Sequence, residues 1–67
     1  MVKLPDIISE YWSDDGLLKA EVIKDHKYMY VKFYENTNLI CAESYEGHSV
    51  EYYEAAAENY VMRIKRV

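Results

Sequence analysis

The side chains of this chain best suited to nucleophilic or metal chemistry are Cys41, His26 and His48. None of them stands in a C-x-x-C or H-x-x-x-H spacing of the kind that brings two ligands to one ion, so no metal site and no cofactor is expected. A reactive thiolate needs a neighbouring base and an electropositive setting. Cys41 instead has apolar sequence neighbours and is followed by Glu43, which gives it a packing role. His26 falls in an expected hairpin loop and His48 beside an expected helix cap, so both read as solvated turn histidines. No pair of titratable groups is marked for acid–base work, and a substrate pocket would consume much of so small a core. The chain is expected to be non-enzymatic.

The aromatic residues say more. In the run Tyr28-Met29-Tyr30-Val31-Lys32-Phe33-Tyr34, a strand's period of two sends Met29, Val31 and Phe33 to one face and Tyr28, Tyr30, Lys32 and Tyr34 to the other. If a helix covers the first face, the second is an unusually aromatic surface, joined by Leu39, Cys41 and Tyr45 from the next strand and by Ile23 from the preceding one. Two arrangements are open: the segment carrying Ile7, Ile8, Tyr11 and Trp12 folds across this face, or the face is an interface. As an interface it would use Tyr28, Tyr30, Tyr34, Tyr45, Trp12 and Lys32, because tyrosine and tryptophan combine apolar area with a polar handle. A second copy is the simplest protein partner, since a two-fold dimer needs one self-complementary patch. The competing class is single-stranded nucleic-acid binding, with bases stacked on Tyr28, Tyr30 and Tyr34 and phosphates met by Lys19, Lys24, Lys27 and Lys32.

Charge weighs against the second class. The chain carries 8 Lys and Arg against 12 Asp and Glu, a net charge of −4, and residues 1–34 hold five lysines against six acids. No net basic groove is visible, and nucleic acid is not the expected partner. Between Glu43 and Glu58 lie five acids and no Lys or Arg. They fit a solvated helix start, or alternatively a surface that docks on a basic partner with Tyr52 among the acids.

The elements that must position these residues follow from punctuation and period. Ile7, Ile8, Tyr11 and Trp12 recur at i, i+1, i+4 and i+5, which predicts a short N-terminal helix starting at Pro5 or Asp6 and ended by Ser13-Asp14-Asp15-Gly16. Alternating β-branched or aromatic and charged residues predict strands over Leu17–Lys24, Tyr28–Glu35 and Leu39–Tyr45. The connections Asp25-His26-Lys27 and Asn36-Thr37-Asn38 are too short for anything but antiparallel neighbours. Ser49 is a good N-cap for a helix whose stripe is Val50, Tyr53, Ala57, Tyr60, Val61 and Ile64, with Glu51, Glu54 and Glu58 early and Arg63, Lys65 and Arg66 late. The expected fold is α+β: a three-stranded antiparallel meander, a C-terminal amphipathic helix on one face and a short N-terminal helix.

Sixty-seven residues at 51% hydrophobic and 15% aromatic predict one small folded domain over 1–67, with only about 60% of the unfolded chain's surface buried. A single cysteine, no apolar leader and no run long enough to span a bilayer give a cytoplasmic expectation with no membrane partner. The α-β-β-β-α order resembles the double-stranded RNA-binding domain family, with Glu54-Ala55-Ala56-Ala57-Glu58 where that family's last helix has its alanine-rich stretch. Where the family has a lysine cluster this chain has Val50, Glu51, Tyr52, Tyr53 and Glu54, so no RNA contact carries over. The run EGHSVEYYEAAAENYV, Glu46 to Val61, resembles the C-terminal part of small accessory proteins of T4-like phages of cyanobacteria. That resemblance implies a phage accessory or host-modulating factor and no particular biochemistry.

Overall fold

In the computed structural model, which describes residues 6–67, four strands precede one helix: β1 (Asp6–Trp12), β2 (Leu18–Asp25), β3 (Tyr28–Glu35), β4 (Asn38–Glu43) and α1 (Val50–Val61). The strands form a single antiparallel sheet in the order β1-β2-β3-β4. The architecture is α+β with a C-terminal helix, as expected, but the sheet has four strands rather than three. The segment expected as an N-terminal helix is its first strand. Pro5, one of the two expected helix starts, lies outside the described residues.

The physical reason lies in what a short helix would forgo. Seven residues make two turns, whose backbone amides and carbonyls stay largely unpaired. The same residues extended along β2 complete a ladder from Asp6↔Lys24 to Trp12↔Lys19. A bulge between Ile7 and Ser9 adds one residue out of period, which is why adjacent isoleucines imitate a helical repeat. Ser13-Asp14-Asp15-Gly16 therefore closes a hairpin instead of ending a helix. Ser13 N–H donates to the Leu18 carbonyl (2.9 Å), Gly16 N–H to the Ser13 carbonyl (3.0 Å), and Leu18 N–H to Ser13 Oγ (2.9 Å). Gly16 sits at φ +75°, where a side chain would be strained.

The other turns are tight. His26 (φ 55°) turns β2 into β3, and Asn36 (φ 53°) and Thr37 (φ 70°) turn β3 into β4. Two successive positive φ values are the signature of the hairpin turn whose twist matches that of the strands.

The helix lies mainly over β2, with β1 and β3 on either side. Ala20, Val22, Val31 and Phe33 from the sheet and Tyr53, Ala57, Tyr60 and Val61 from the helix make the core; Ala56 is buried as well and Val50 half-buried. Phe33 and Tyr60 meet edge to face at 4.9 Å, and Tyr60 donates its hydroxyl to the Tyr34 carbonyl (2.9 Å). Ser49 is the N-cap residue, but its side chain makes no cap bond. The C-terminus departs from the expected stripe: Arg63 takes φ 63°, Arg63 N–H reaches the Tyr60 carbonyl and Ile64 N–H the Asn59 carbonyl (2.8 Å). This pair of bonds is the Schellman arrangement. The chain turns away there, leaving Ile64 67% exposed and Arg63, Lys65 and Arg66 beyond the last helical turn.

Candidate functional site: the open face of the sheet

Register decides which side chains share the face opposite α1. Ser9 and Tyr11 turn toward the helix: Ser9 Oγ donates to Glu54 (2.5 Å), and Tyr11 packs against the core. Ile7, Glu10 and Trp12 therefore point away. On β2 the same side holds Lys19, Glu21, Ile23 and Asp25, and on β3 Tyr28, Tyr30, Lys32 and Tyr34, because these residues pair directly. On β4, Leu39 opposes Tyr34 and Ala42 opposes Lys32. The rows across the sheet are Trp12-Lys19-Tyr34-Leu39, Glu10-Glu21-Lys32-Ala42 and Ile7-Ile23-Tyr30.

No other element among the described residues covers this face. The shortest principal dimension is 16 Å, enough for a sheet and one helix layer at about 10 Å separation and too thin for a third layer. The arrangement in which Ile7, Ile8, Tyr11 and Trp12 fold across the tyrosines is thus overturned: β1 extends the sheet sideways. Trp12 is 55% exposed, Tyr28 66%, Leu39 54% and Ile7 51%.

The polar groups of the face are partly consumed by one another. Tyr34 donates its hydroxyl to Glu21 Oε1 (2.8 Å) and Lys19 Nζ lies 3.1 Å from Glu21 Oε2, so Glu21, buried at 7% exposure, is held from two sides. Burial, followed by that bond and the Glu21 charge, pushes the Tyr34 phenol up to about 12. Lys19 Nζ also sits over the Trp12 ring (4.9 Å) and the Tyr34 ring (5.5 Å). Lys32 Nζ lies 6.0 Å from the centre of the Tyr30 ring.

Five of the six expected interface residues share this face: Trp12, Tyr28, Tyr30, Lys32 and Tyr34. Tyr45 does not, and neither does Cys41. Between Phe33 and Tyr34 the β3–β4 register slips, so that Cys41 opposes Phe33 on the helix side while Leu39 opposes Tyr34 on the open side. Tyr45 packs on the core, edge-on to Tyr52 at 5.2 Å, and donates its hydroxyl to Glu43 (2.5 Å); burial and Glu43 raise its pKa. Lys65 Nζ reaches Glu43 as well (3.3 Å). Burial, with help from Glu43, raises the Cys41 thiol, the opposite of what a nucleophile needs. Of the lysines proposed to meet phosphate, Lys19 and Lys32 lie on the face. Lys24 pairs with Met29 and belongs to the helix side, and Lys27 is in a turn. Ile7, Glu10 and Glu21 also belong to this surface and were not expected there: the period of two places Glu21 in β2 and, once β1 is a strand, Glu10 beside Trp12, whereas Ile7 joins them only through the bulge between Ile7 and Ser9.

The two histidines differ. His26 is exposed beside Asp25 (3.7 Å), whereas His48 stacks on the Tyr52 ring at 3.9 Å. Among the described residues no group of three or more His, Cys, Asp or Glu side chains is placed to hold a metal ion, and no helix is long and apolar enough to cross a membrane. No family model, no curated protein and no solved structure matches this chain.

Proposed function

We propose that this chain is a small protein-interaction domain that works through the open sheet face and associates with itself. The observation that supports it is a sheet face that no other element among the described residues covers, and around whose margins Trp12, Tyr28, Leu39 and Ile7 are exposed. Exposed apolar patches of this kind on small soluble domains mark interaction sites, and the aromatic content suits anchoring at low entropic cost. Replacing Tyr30, half-buried at the middle of the face, by glutamate should leave the far-ultraviolet circular dichroism unchanged and shift sedimentation from dimer to monomer. A mass unchanged by Tyr30→Glu would remove this face from the assembly.

Nucleic acid is the second reading, favoured by one feature: Lys19 and Lys32 are interleaved with Trp12, Tyr30 and Tyr34. Glu10, Glu21 and Asp25 share the same face, however, so the local sign is not positive. Phosphate binding would weaken steeply with salt, while a largely apolar protein contact would change little.

A further inference from the structure

We propose that Trp12, Tyr34 and Glu21 form a cation slot on the open face, that Lys19 fills it as a plug from within the chain, and that a methylated ammonium on a partner, as a dimethylated lysine side chain carries, takes the place of Lys19. The slot stands independently of the self-association reading.

Lys19 pairs with Trp12 across one ladder and with Tyr34 across the next, so it stands between the two. Side chains two strands apart are about 10 Å from each other, and a cation between two such rings is about 5 Å from each, within the range at which a ring's negative face attracts it. The Lys19 ammonium lies there, 4.9 Å from the centre of the Trp12 ring and 5.5 Å from that of Tyr34. Glu21 Oε2 closes a third side at 3.1 Å. Glu21 is buried, and its other oxygen accepts the Tyr34 hydroxyl (2.8 Å), so the bond that orients the carboxylate also holds one wall of the slot. Lys32 stands directly across the ladder from Glu21, yet its ammonium lies by the Tyr30 ring and makes no ion pair among the described residues. Among those residues Lys19 is therefore the one ammonium that the buried carboxylate holds.

The plug is removable. The Lys19 side chain is 26% exposed, and its flexible four-carbon stem swings out by side-chain rotation without moving the strand. What it leaves is two rings, a buried carboxylate, and Glu10 opposite Glu21 on β1. A buried carboxylate without a counter-charge is costly, so the vacated slot calls for another cation. Methyl groups make an ammonium less strongly hydrated and so gain more between two rings. One retained N–H keeps the charge-assisted bond to Glu21. Together these select a dimethylated ammonium over an unmethylated or a trimethylated one.

Trp12 is the only tryptophan of the chain, so its fluorescence reports on the slot. Titration with Nα-acetyl-dimethyllysine amide should give saturable binding to Lys19→Met, and binding at least about tenfold weaker to wild type, where the tethered ammonium competes at high effective concentration. Lys19→Gln, which also removes the charge, should behave as Lys19→Met does, and circular dichroism checks that each variant is folded. On Lys19→Met the trimethylated analogue should bind more weakly than the dimethylated one, and the neutral norleucine analogue at least about tenfold more weakly. Adding Glu21→Gln to Lys19→Met should weaken binding at least about tenfold. Absence of saturable binding to both Lys19 variants, equal affinity in wild type and variants, or a norleucine analogue that binds as well as the ammonium overturns the slot. A trimethylated probe that binds as tightly as the dimethylated one, or a Glu21→Gln variant without loss, overturns the part given to Glu21.

Discussion

Asp15 shows how much a single side chain can organise here. Its carboxylate accepts bonds from Ser13 Oγ (2.6 Å), Leu17 N–H (3.0 Å) and the Arg63 guanidinium (2.6 Å), closing the β1–β2 turn and tying it to the residue that ends the helix. The Ser13 hydroxyl first, then the Leu17 amide and Arg63, hold its pKa at about 2 against an ordinary 3.8. Because the folded value is the lower one, the stability this group contributes is complete above its unfolded pKa and is lost as pH falls from about 3.8 toward about 2. Glu43, lowered chiefly by the Tyr45 hydroxyl, and Glu51, lowered chiefly by its own backbone N–H and by Ser49, act in the same direction. Thermal melts across this range should show Tm falling with acid, and Asp15→Asn should flatten the fall while lowering Tm at neutral pH. An unchanged acid slope in Asp15→Asn would mean that the turn does not depend on the ionised carboxylate.

At the scale of elements, the hairpin between β3 and β4 carries its own strain. Asn36 tolerates a left-handed backbone, but Thr37 is β-branched and sits at φ 70°, a conformation costing such a residue about 1–2 kcal/mol. Thr37→Gly removes that strain and loses about 0.5–1 kcal/mol through the freer unfolded chain. The net expectation is a gain of roughly 0.5–1 kcal/mol, read as a higher denaturant midpoint at unchanged slope. A lower midpoint would assign the threonine side chain a stabilising contact. The bounds of β3, Tyr28–Glu35, and both turns that flank it are legible because alternation is uninterrupted there and the turn residues lie at hairpin spacing. The two bulges are not. One makes Ile7-Ile8 look helical, and the other separates Leu39 from Cys41 although they stand two apart in β4. A bulge is one unpaired residue, chosen by how two strands twist together, and no period in either strand records it. Both bulges lie where an edge strand meets its neighbour, which also makes each edge a poor template for adding another chain.

For the whole molecule, the open face bears on stability as well as on the proposed association. A chain of 67 residues buries too little surface to be more than marginally stable on its own. The tyrosine face was legible in the period of β3, but its breadth was not: Glu10 and Ile7 join it only when β1 is a strand, and Trp12, expected at the interface, reaches it from the edge of the sheet. If the folded chain associates and the unfolded chain does not, mass action adds stability that grows with concentration, about 1.4 kcal/mol when the free partner is tenfold above the dissociation constant. For a domain of this length, that amounts to several degrees in Tm. Calorimetry from about 5 to about 500 µM should therefore show Tm rising with concentration for wild type and staying flat for Tyr30→Glu. Equal, concentration-independent melting of the two would leave the stability with the monomer alone and remove self-association as the role of the face.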